Sequence, residues 1–505
     1  MSIKKVAVCG AGGTMGAGIA LVAARAGFET VCFDLSIDAL EHAGRRADQF
    51  FSASVERGKM TAAEKSEALG RMKNTSSLKD LADVDLVIEA VFEDLQVKRA
   101  LFSELNSICQ ASTIFASNTS TLSITEIASG CGREERVVGM HFCLPAERNR
   151  LIEMSRGMNT QDDVFHVSWQ WTEAALQIPV ETQDKPGFIL NALLVPFNND
   201  VIRAVEAGLA TPSDIDKAIC TALGYKMGPC LLLDMIGTDT QVLLSEAFYP
   251  VTLDVRASAP PLLRRMAAAG HLGAKSGMGF LAGHDPVEEP VKKGVTYELS
   301  DLSLSSYGFD NEFLGHATES GDVLVHLGGS FSLDESKRAV LVELDTECLG
   351  VHTGEDLGNE GSNVVGFSRY RNGNDAPTQL IEVVRQPNTS SDAVDAARSL
   401  FVESGYEVVV CADQPGRIVD RLVRPKYNAA LRFLDEGLAT AEAMDLTCRL
   451  GLGYPDGPIE RVGRGGLARH YEISKSIFDL TGLPGYVPAR RSVVAYERTR
   501  LGKVS

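Results

Sequence analysis

What the sequence lacks narrows its class before any motif is read. Its ten cysteines include no C-x-x-C pair and no metal-ligand spacing. That argues against a disulfide framework or a metal site and for a reduced, cytoplasmic setting. No charge-free apolar stretch approaches the ~20 residues that a membrane span needs. Lys4 and Lys5 followed by VAVCGAGGTMGAGIALVAARA superficially resemble a signal peptide. Glycines interrupt that run, however, and it continues into an amphipathic pattern ending at Arg25 and Gly27, so a buried strand, turn and helix is expected instead. Basic excess is also missing. The 49 Lys and Arg against 67 Asp and Glu give a net charge of -18, which speaks against nucleic acid or an anionic membrane as partner. An anionic ligand in a locally basic site stays open.

The chain has 505 residues, 44% of them hydrophobic and 23% charged. This is an ordinary composition for a globular chain of several domains with large cores.

Ile3 to Cys9 reads as a fully buried strand running into Gly10-Ala11-Gly12-Gly13-Thr14-Met15-Gly16, then a helix through Arg25. A second strand, Thr30 to Phe33, ends on Asp34. This is a dinucleotide-binding arrangement. Glycines let the turn bend and the backbone approach a pyrophosphate seated on the helix N-terminus. The spacing Gly10-x-Gly12-x-x-x-Gly16 is one residue longer than the common form, so the motif does not settle the shape of the turn. Asp34 is placed to accept from both ribose hydroxyls and would repel a 2'-phosphate, which favours NAD over NADP. Residues 36 to 72 are polar and helical in pattern, with Arg45, Arg46, Arg57 and Lys59, a solvated pair of helices in the commoner case.

Strands at Val84 to Ala90 and Thr113 to Ala116 follow, and the second runs into Ser117-Asn118-Thr119-Ser120. Next comes VVGMHFCLPAERNRLIEM, Val137 to Met154, in which His141 and Glu153 flank a Pro-containing bend twelve residues apart. Two apolar segments joined by a turn can bring such a pair together on neighbouring strands. A carboxylate accepting from one imidazole nitrogen fixes the tautomer and leaves the other nitrogen free as a base. A surface histidine beside an unrelated glutamate is the plain alternative. Strand ends of one parallel sheet converge on one crevice, so Ser120 and His141 can meet there.

Together these segments make the chain resemble the L-3-hydroxyacyl-CoA dehydrogenase family. GAGGTMGAGIA, ASNTSTLSITEIA, MHF with LIE twelve residues on, DKPGFILNALLVP, ALGYKMGPCLLLDMIG and LGAKSGMGF occur in order over residues 3 to 281. The resemblance implies His141 as catalytic base, Glu153 as its orienting partner, and Ser120 and Asn191 as hydrogen-bonding partners around the substrate oxygen. It implies cofactor contacts from Gly10, Gly12, Met15, Gly16, Asp34, Glu93, Lys98 and Asn118, and a CoA contact from Arg57. One departure stands out. The family usually has His-Phe-Phe-Asn-Pro where this chain has His141-Phe142-Cys143-Leu144-Pro145, and Leu144 cannot make an amide's hydrogen bonds. The next residues, Ala146 to Arg150, are also unusually charged. One guanidinium of Arg148 and Arg150 facing the pocket would hold the distal carboxylate of a dicarboxylyl-CoA such as 3-hydroxyadipyl-CoA; a solvated basic pair is the bland alternative.

The second half repeats part of the first at a constant offset. LIEMSRGMNT at 151 pairs with LIEVVRQPNT at 380, DKPGFILNALLVP at 184 with DQPGRIVDRLVRP at 413, and LGYKMGP at 223 with LGYPDGP at 452. Two copies of a helical domain are expected. The expected organisation is an α/β and all-α chain: an NAD-binding Rossmann domain (1–185), a helical domain (186–284), a degenerate Rossmann-like remnant (285–412) and a second helical domain (413–505). In the remnant Ser368 stands where His141 does, Glu382 has kept its place, and Asp420 replaces Asn191, so this copy should be catalytically silent. The layout is closest to the family's long bacterial form, which implies a role in fatty-acid β-oxidation or phenylacetate degradation, with acyl-CoA as the small-molecule partner. A fused second helical domain would supply within one chain the contact that dimers make between chains, and homodimerisation of the whole chain stays open.

Two other readings remain. A free hydroxy acid would serve as substrate in a gulonate dehydrogenase-like enzyme, and a crystallin-like homologue would keep the fold without turnover. Ser120, His141, Glu153 and Asn191 together argue against the latter.

Overall fold

The computed structural model describes residues 3–284, 291, 293–299, 316–327, 332–354 and 361–503. They divide into two compact units, Met1–Ala192 with Leu434–Leu452, and Leu193–Phe433 with Gly453–Ser505. No helix among the described residues is long and apolar enough to cross a membrane.

The first unit is built on an eight-stranded sheet. Its elements in chain order are β1 (Lys5–Cys9), α1 (Thr14–Arg25), β2 (Glu29–Phe33), α2 (Ile37–Glu56), α3 (Ala62–Arg71), β3 (Met72–Thr75), β4 (Leu86–Glu89), α4 (Leu95–Ile108), β5 (Ile114–Ser117), α5 (Ile124–Ala128), β6 (Val137–Phe142), β7 (Leu151–Arg156), α6 (Asp162–Ala174) and β8 (Ile178–Thr182). The spatial order is β3-β2-β1-β4-β5-β6-β7-β8. Strands β1, β4, β5 and β6 are almost wholly buried. Helices cover both faces of such a sheet, so its central strands read as continuous apolar runs. The strand order reverses between β1 and β4, which opens a crevice at their carboxyl ends.

One strand breaks the parallel pattern. β7 runs antiparallel to β6, and the register places His141 directly opposite Glu153. Because β7 turns back, the connection needs only residues 143 to 150, and both side chains project on one face of the sheet.

The second unit holds α7 (Leu190–Glu206), α8 (Pro212–Leu223), α9 (Pro229–Ile236), α10 (Thr238–Thr252) and α11 (Pro261–Ala268), except for the first residues of α7. It continues with β9 (Tyr297–Leu299), β10 (Val323–His326), β11 (Ala339–Glu343), α12 (Gly350–Thr353), β12 (Val364–Arg369), β13 (Leu380–Arg385), α13 (Ser391–Glu403) and β14 (Glu407–Ala412). The helices α14 (Val419–Asp435), α15 (Ala441–Leu452), α16 (Pro458–Gly465), α17 (Leu467–Thr481) and α18 (Arg490–Arg500) complete the chain. Its sheet runs β14-β13-β12-β11-β10-β9, parallel except for the antiparallel β12–β13 pair. This is the order β8-β7-β6-β5-β4-β1 of the first sheet, with no counterpart of β2 or β3 among the described residues. The remnant is therefore a true sheet that keeps the antiparallel pair of the first. The turn after β9 lies outside the described residues.

The two helical copies cover the two sheets reciprocally. Helix α15, from the second copy, belongs to the first unit and packs on β7 and β8. Helix α8, from the first copy, packs on β13 and β14. Equivalent backbone bonds hold each: the Gln183 amide donates to the Leu438 carbonyl at 3.0 Å, and the Ala412 amide to the Leu209 carbonyl at 2.8 Å. Within the second unit the equivalent tyrosines Tyr225 and Tyr454 stack with ring centroids 3.7 Å apart. The buried Lys426 ammonium lies 4.2 Å from the Tyr454 ring centre and 4.9 Å from that of Phe197. Gly451 lets α15 approach closely, since a Cβ there would stand 2.9 Å from a Leu190 methyl and 3.2 Å from one of Leu151.

A chain ended after residue 284 removes α15 from the β7–β8 surface. Such a fragment is expected to be insoluble or newly self-associating in gel filtration. A soluble, monomeric and fully active fragment would contradict a stabilising role for the second half.

Candidate active site

At the head of the first sheet the turn after β1 is shaped by glycine. Gly10 has φ 83°, and a Cβ on it would lie 2.5 Å from the Ala90 carbonyl oxygen. A Cβ on Gly16 would meet the Gly10 carbonyl oxygen at 2.2 Å. The longer glycine spacing is thus absorbed by letting α1 begin at Thr14, after a turn closed by the Gly13 amide on the Gly10 carbonyl at 3.0 Å. No side chain caps α1 and no acid lies in its first turn, so its N-terminal amides face the crevice with their positive end unspent. Asp34 ends β2 there. Its carboxylate accepts the Gly12 amide at 3.0 Å and the Ser36 amide at 3.0 Å. Met15 sits in the first turn of α1 and packs against the core beneath. These residues fit a dinucleotide: a close-approach turn, open helix amides and a carboxylate at the ribose position.

A second cluster lies beside it. Glu89 ends β4 fully buried, and Lys98 is 1% exposed. The Lys98 ammonium donates to Glu89 at 2.9 and 3.0 Å and lies 3.3 Å from Glu93. Ser117 also donates to Glu89. Glu93 in turn accepts from the Thr119 hydroxyl at 2.7 Å and from the amides of Ser120 and Thr121 at 2.8 and 2.9 Å. Burial opposes ionisation of Glu93, but Lys98 and these donors outweigh it and hold its carboxyl below the ordinary range. Lys98 is therefore spent inside the protein, and of the two groups it is Glu93 whose side chain stays 35% exposed. Asn118 is likewise engaged, its carbonyl accepting the Phe142 amide at 2.8 Å and tying the end of β5 to β6.

At the centre, His141 Nδ1 is 2.8 Å from Glu153 Oε2, and His141 Nε2 is 3.1 Å from Ser120 Oγ. The other Glu153 oxygen accepts the amides of Ile189 and Leu190, both at 2.9 Å, at the head of α7. Asn191 follows these two residues directly and makes no side-chain hydrogen bond of its own among the described residues. The imidazole also lies 5.6 Å from the Phe188 ring, centre to centre. Cys143 brings its thiol into this cluster, with one ligand-type atom each from His141, Cys143 and Glu153 within 4.8 Å of one another. Burial, and then Glu153, push that thiol well above its ordinary range, so it stays protonated beside the dyad.

The two arginines after the bend go separate ways. Arg148 lines a cleft of about 580 Å³ with Arg25, Arg46, Arg57 and Lys59, against a single acid, Glu147. Arg46 pairs with Glu147 at 2.8 Å. Arg150 is not in that lining and donates to the Leu176 carbonyl at 3.1 Å, although burial and then its charge lower the pKa of Arg25 in the cleft wall. Leu144 is 62% exposed. Sequence reading passed over Glu89, although an acid closing a buried strand was its signal. It singled out Arg57 but took Arg46 and Lys59 for a solvated face, because their convergence with Arg148 is a long-range contact.

Comparisons with known proteins identify the family. The model of the 3-hydroxyacyl-CoA dehydrogenase NAD-binding domain matches residues 5–185. That of the C-terminal domain of the same family matches twice, over 187–283 and 416–505. A 3-hydroxyadipyl-CoA dehydrogenase of Escherichia coli K12 is 32% identical over 91% of this chain and 90% of its own length. A 3-hydroxybutyryl-CoA dehydrogenase of Mycobacterium tuberculosis is 41% identical over 55% of this chain and 98% of its own. Among solved structures, a 3-hydroxybutyryl-CoA dehydrogenase of Escherichia coli K12 superposes with a TM-score of 0.80 at 28% identity, covering 98% of this chain and 99% of that one.

The buried Lys98 gives a direct test. Lys98→Met leaves Glu89 charged and unpaired, which should cost about 3–5 kcal/mol in denaturant unfolding. A loss below ~1 kcal/mol would mean that the pair is not held as described. Because the Glu93 pKa is lowered on folding, its contribution is complete above the unfolded value near ~4.3 and is lost as pH falls through the folded one. Glu93→Gln should therefore weaken the acid dependence of stability.

Proposed function

The chain belongs to the 3-hydroxyacyl-CoA dehydrogenase family, and on that premise we propose that it oxidises an L-3-hydroxyacyl-CoA to the 3-ketoacyl-CoA with NAD, His141 being the base. The observation that supports this most is the continuous relay Glu153–His141–Ser120, which leaves Nε2 facing a hydroxyl oxygen at 3.1 Å. NAD bound at the head of the sheet would supply the acceptor for the hydride of the hydroxyl-bearing carbon. His141 Nε2 takes the hydroxyl proton. Glu153, fixed by two backbone amides, orients the ring and offsets the positive charge that the ring then carries. Ser120 donates to the substrate oxygen, with Asn191 beside the same amides that hold Glu153. Gly10, Gly12, Gly16 and the head of α1 would hold the pyrophosphate of NAD and Asp34 its adenosine ribose, and Glu93, held by Lys98, would contribute a further polar contact.

Arg148, Arg57, Arg25, Arg46 and Lys59 are read as the site for the CoA phosphates. Five cations against one carboxylate match a strongly anionic group. This favours a CoA ester over a free hydroxy acid. It also changes the expectation for Arg148, since a guanidinium engaged by phosphate is not available to a carboxylate at the far end of the substrate. Arg150, turned to the Leu176 carbonyl, offers no such contact either. Preference for a dicarboxylyl chain therefore rests on the name of the Escherichia coli relative and not on these arginines. The equivalent contacts of α8 and α15 support an internal pseudo-dimer, with the whole chain working in the cytoplasm in fatty-acid or phenylacetate degradation.

His141→Gln should retain NAD affinity and lose ~10²–10⁴ in kcat, or about 3–5 kcal/mol of barrier stabilisation. Ser368→Ala should change neither; equal damage from both would end the silent-copy reading. Asp34 predicts a higher kcat/KM with NAD than with NADP, and the opposite preference would remove its assignment. Arg148→Met should raise KM alike for 3-hydroxybutyryl-CoA and 3-hydroxyadipyl-CoA. A loss confined to the dicarboxylyl substrate would instead place Arg148 at the acyl end.

A further inference from the structure

The silent copy has kept the frame of a site and changed its chemistry. Ser368 faces Glu382 across β12–β13 in the register in which His141 faces Glu153. One Glu382 oxygen accepts the amides of Ile418 and Val419 at 2.9 and 3.1 Å, as Glu153 does with Ile189 and Leu190. Where the second Glu153 oxygen meets an imidazole, that of Glu382 meets none. A cavity of about 620 Å³ lies there instead, lined by Ser368, Tyr370, Arg371, Glu382, Arg417 and Asp420 among others.

This space is walled by polar groups that the protein leaves unused. Ser368 is 6% exposed and its hydroxyl forms no hydrogen bond among the described residues. Tyr370 is 2% exposed and its hydroxyl has no partner among the described residues. Asp420 spends one oxygen on Arg424, at 2.7 and 2.8 Å, and keeps the other. The wall guanidinium groups are mostly committed. Arg417 donates to the carbonyls of Asp345 and Glu347, Arg369 pairs with Glu343 at 2.7 Å, and Arg469 pairs with Asp345 at 2.5 Å. Buried polar groups without partners are costly and are normally met by a ligand or water.

The substitutions also invert the polarity. In the first copy the positions are His141, Phe188 and Asn191, a base, a ring and an amide. At the equivalent positions stand Ser368, Arg417 and Asp420, and the uncommitted atoms are acceptors: the free oxygens of Glu382 and Asp420 beside two hydroxyls. Carboxylates outnumber guanidinium groups six to four around the cavity. We propose that this cavity is a ligand site in its own right, taking a small molecule whose inner end is a cationic nitrogen group, an ammonium or amidinium. Glu382 and Asp420 receive its N–H groups, Ser368 and Tyr370 complete the shell, and Arg371 at the rim suits an anionic tail.

Glu382 supplies the handle for the test. Burial, against the nearby Arg417 and the two amides, raises its carboxyl to about 7, with Asp420 adding to the rise. The Cys411 thiol nearby is itself pushed well up by burial and by Glu382, so it stays neutral. A permanent cation needs the ionised form, which is about a tenth of the population at pH 6 and nine-tenths at pH 8, so affinity should rise roughly tenfold between them.

Calorimetric titration of the full-length protein with ethylammonium and with benzamidinium tests this, with acetate as the opposite-charge control. Saturable binding of at least one cation is expected, tighter at pH 8, with none for acetate. Glu382→Gln keeps the acceptor for Ile418 and Val419 and should lose more than ~tenfold in affinity. Ser368→His should abolish binding by refilling the ring position while leaving dehydrogenase turnover unchanged. No binding of either cation, equal affinity at both pH values, or binding that survives both variants overturns the proposal. The last result would mean diffuse attraction to an acidic surface.

Discussion

The structure turns on one buried carboxylate. Glu153 is 0% exposed, and an ionised carboxylate in such a place survives only if its oxygens are taken up. One oxygen is claimed by two backbone amides at the head of α7, the other by His141. The first claim fixes the head of α7 on the sheet, and the second fixes the orientation of the imidazole proposed as base. One side chain thus serves both the local fold and the candidate site. The antiparallel turn of β7 makes this possible, because a parallel strand would need a long crossover and could not bring residues twelve apart into register.

The same anchor explains how the duplicated half could lose the histidine and keep its fold. Glu382 still binds the amides of Ile418 and Val419, so the structural half of the task persists after the histidine has gone. What changed is the unclaimed oxygen, now facing a cavity instead of an imidazole. Among the described residues the second sheet has no strands equivalent to β2 and β3. It retained the antiparallel pair that carries the glutamate, and the helix that covers this pair comes from the other copy.

That exchange gives the second half a physical role even without turnover. Helix α15 sits on β7, the strand that bears Glu153, and Gly451 permits the close approach. Joining the copies in one chain keeps such a contact intramolecular and so insensitive to protein concentration.

Much of this was legible in the amino-acid sequence alone. The glycine-rich turn, the strand-ending Asp34, the twelve-residue spacing of His141 and Glu153 and the constant offset of 229 all lie in short local patterns. Such patterns are written in residue type and period, and the strands and helices followed them. The sequence also showed that Ser368 stands at the position of His141. It could not show that Lys98 is consumed by Glu89 and Glu93, that Arg148 and Arg150 part company, or that α8 and α15 cover each other's sheets. Those outcomes depend on which side chains meet across tens or hundreds of residues. Burial decides them, since a cation taken from water must find its carboxylate, whereas one at a cleft wall remains free for a ligand.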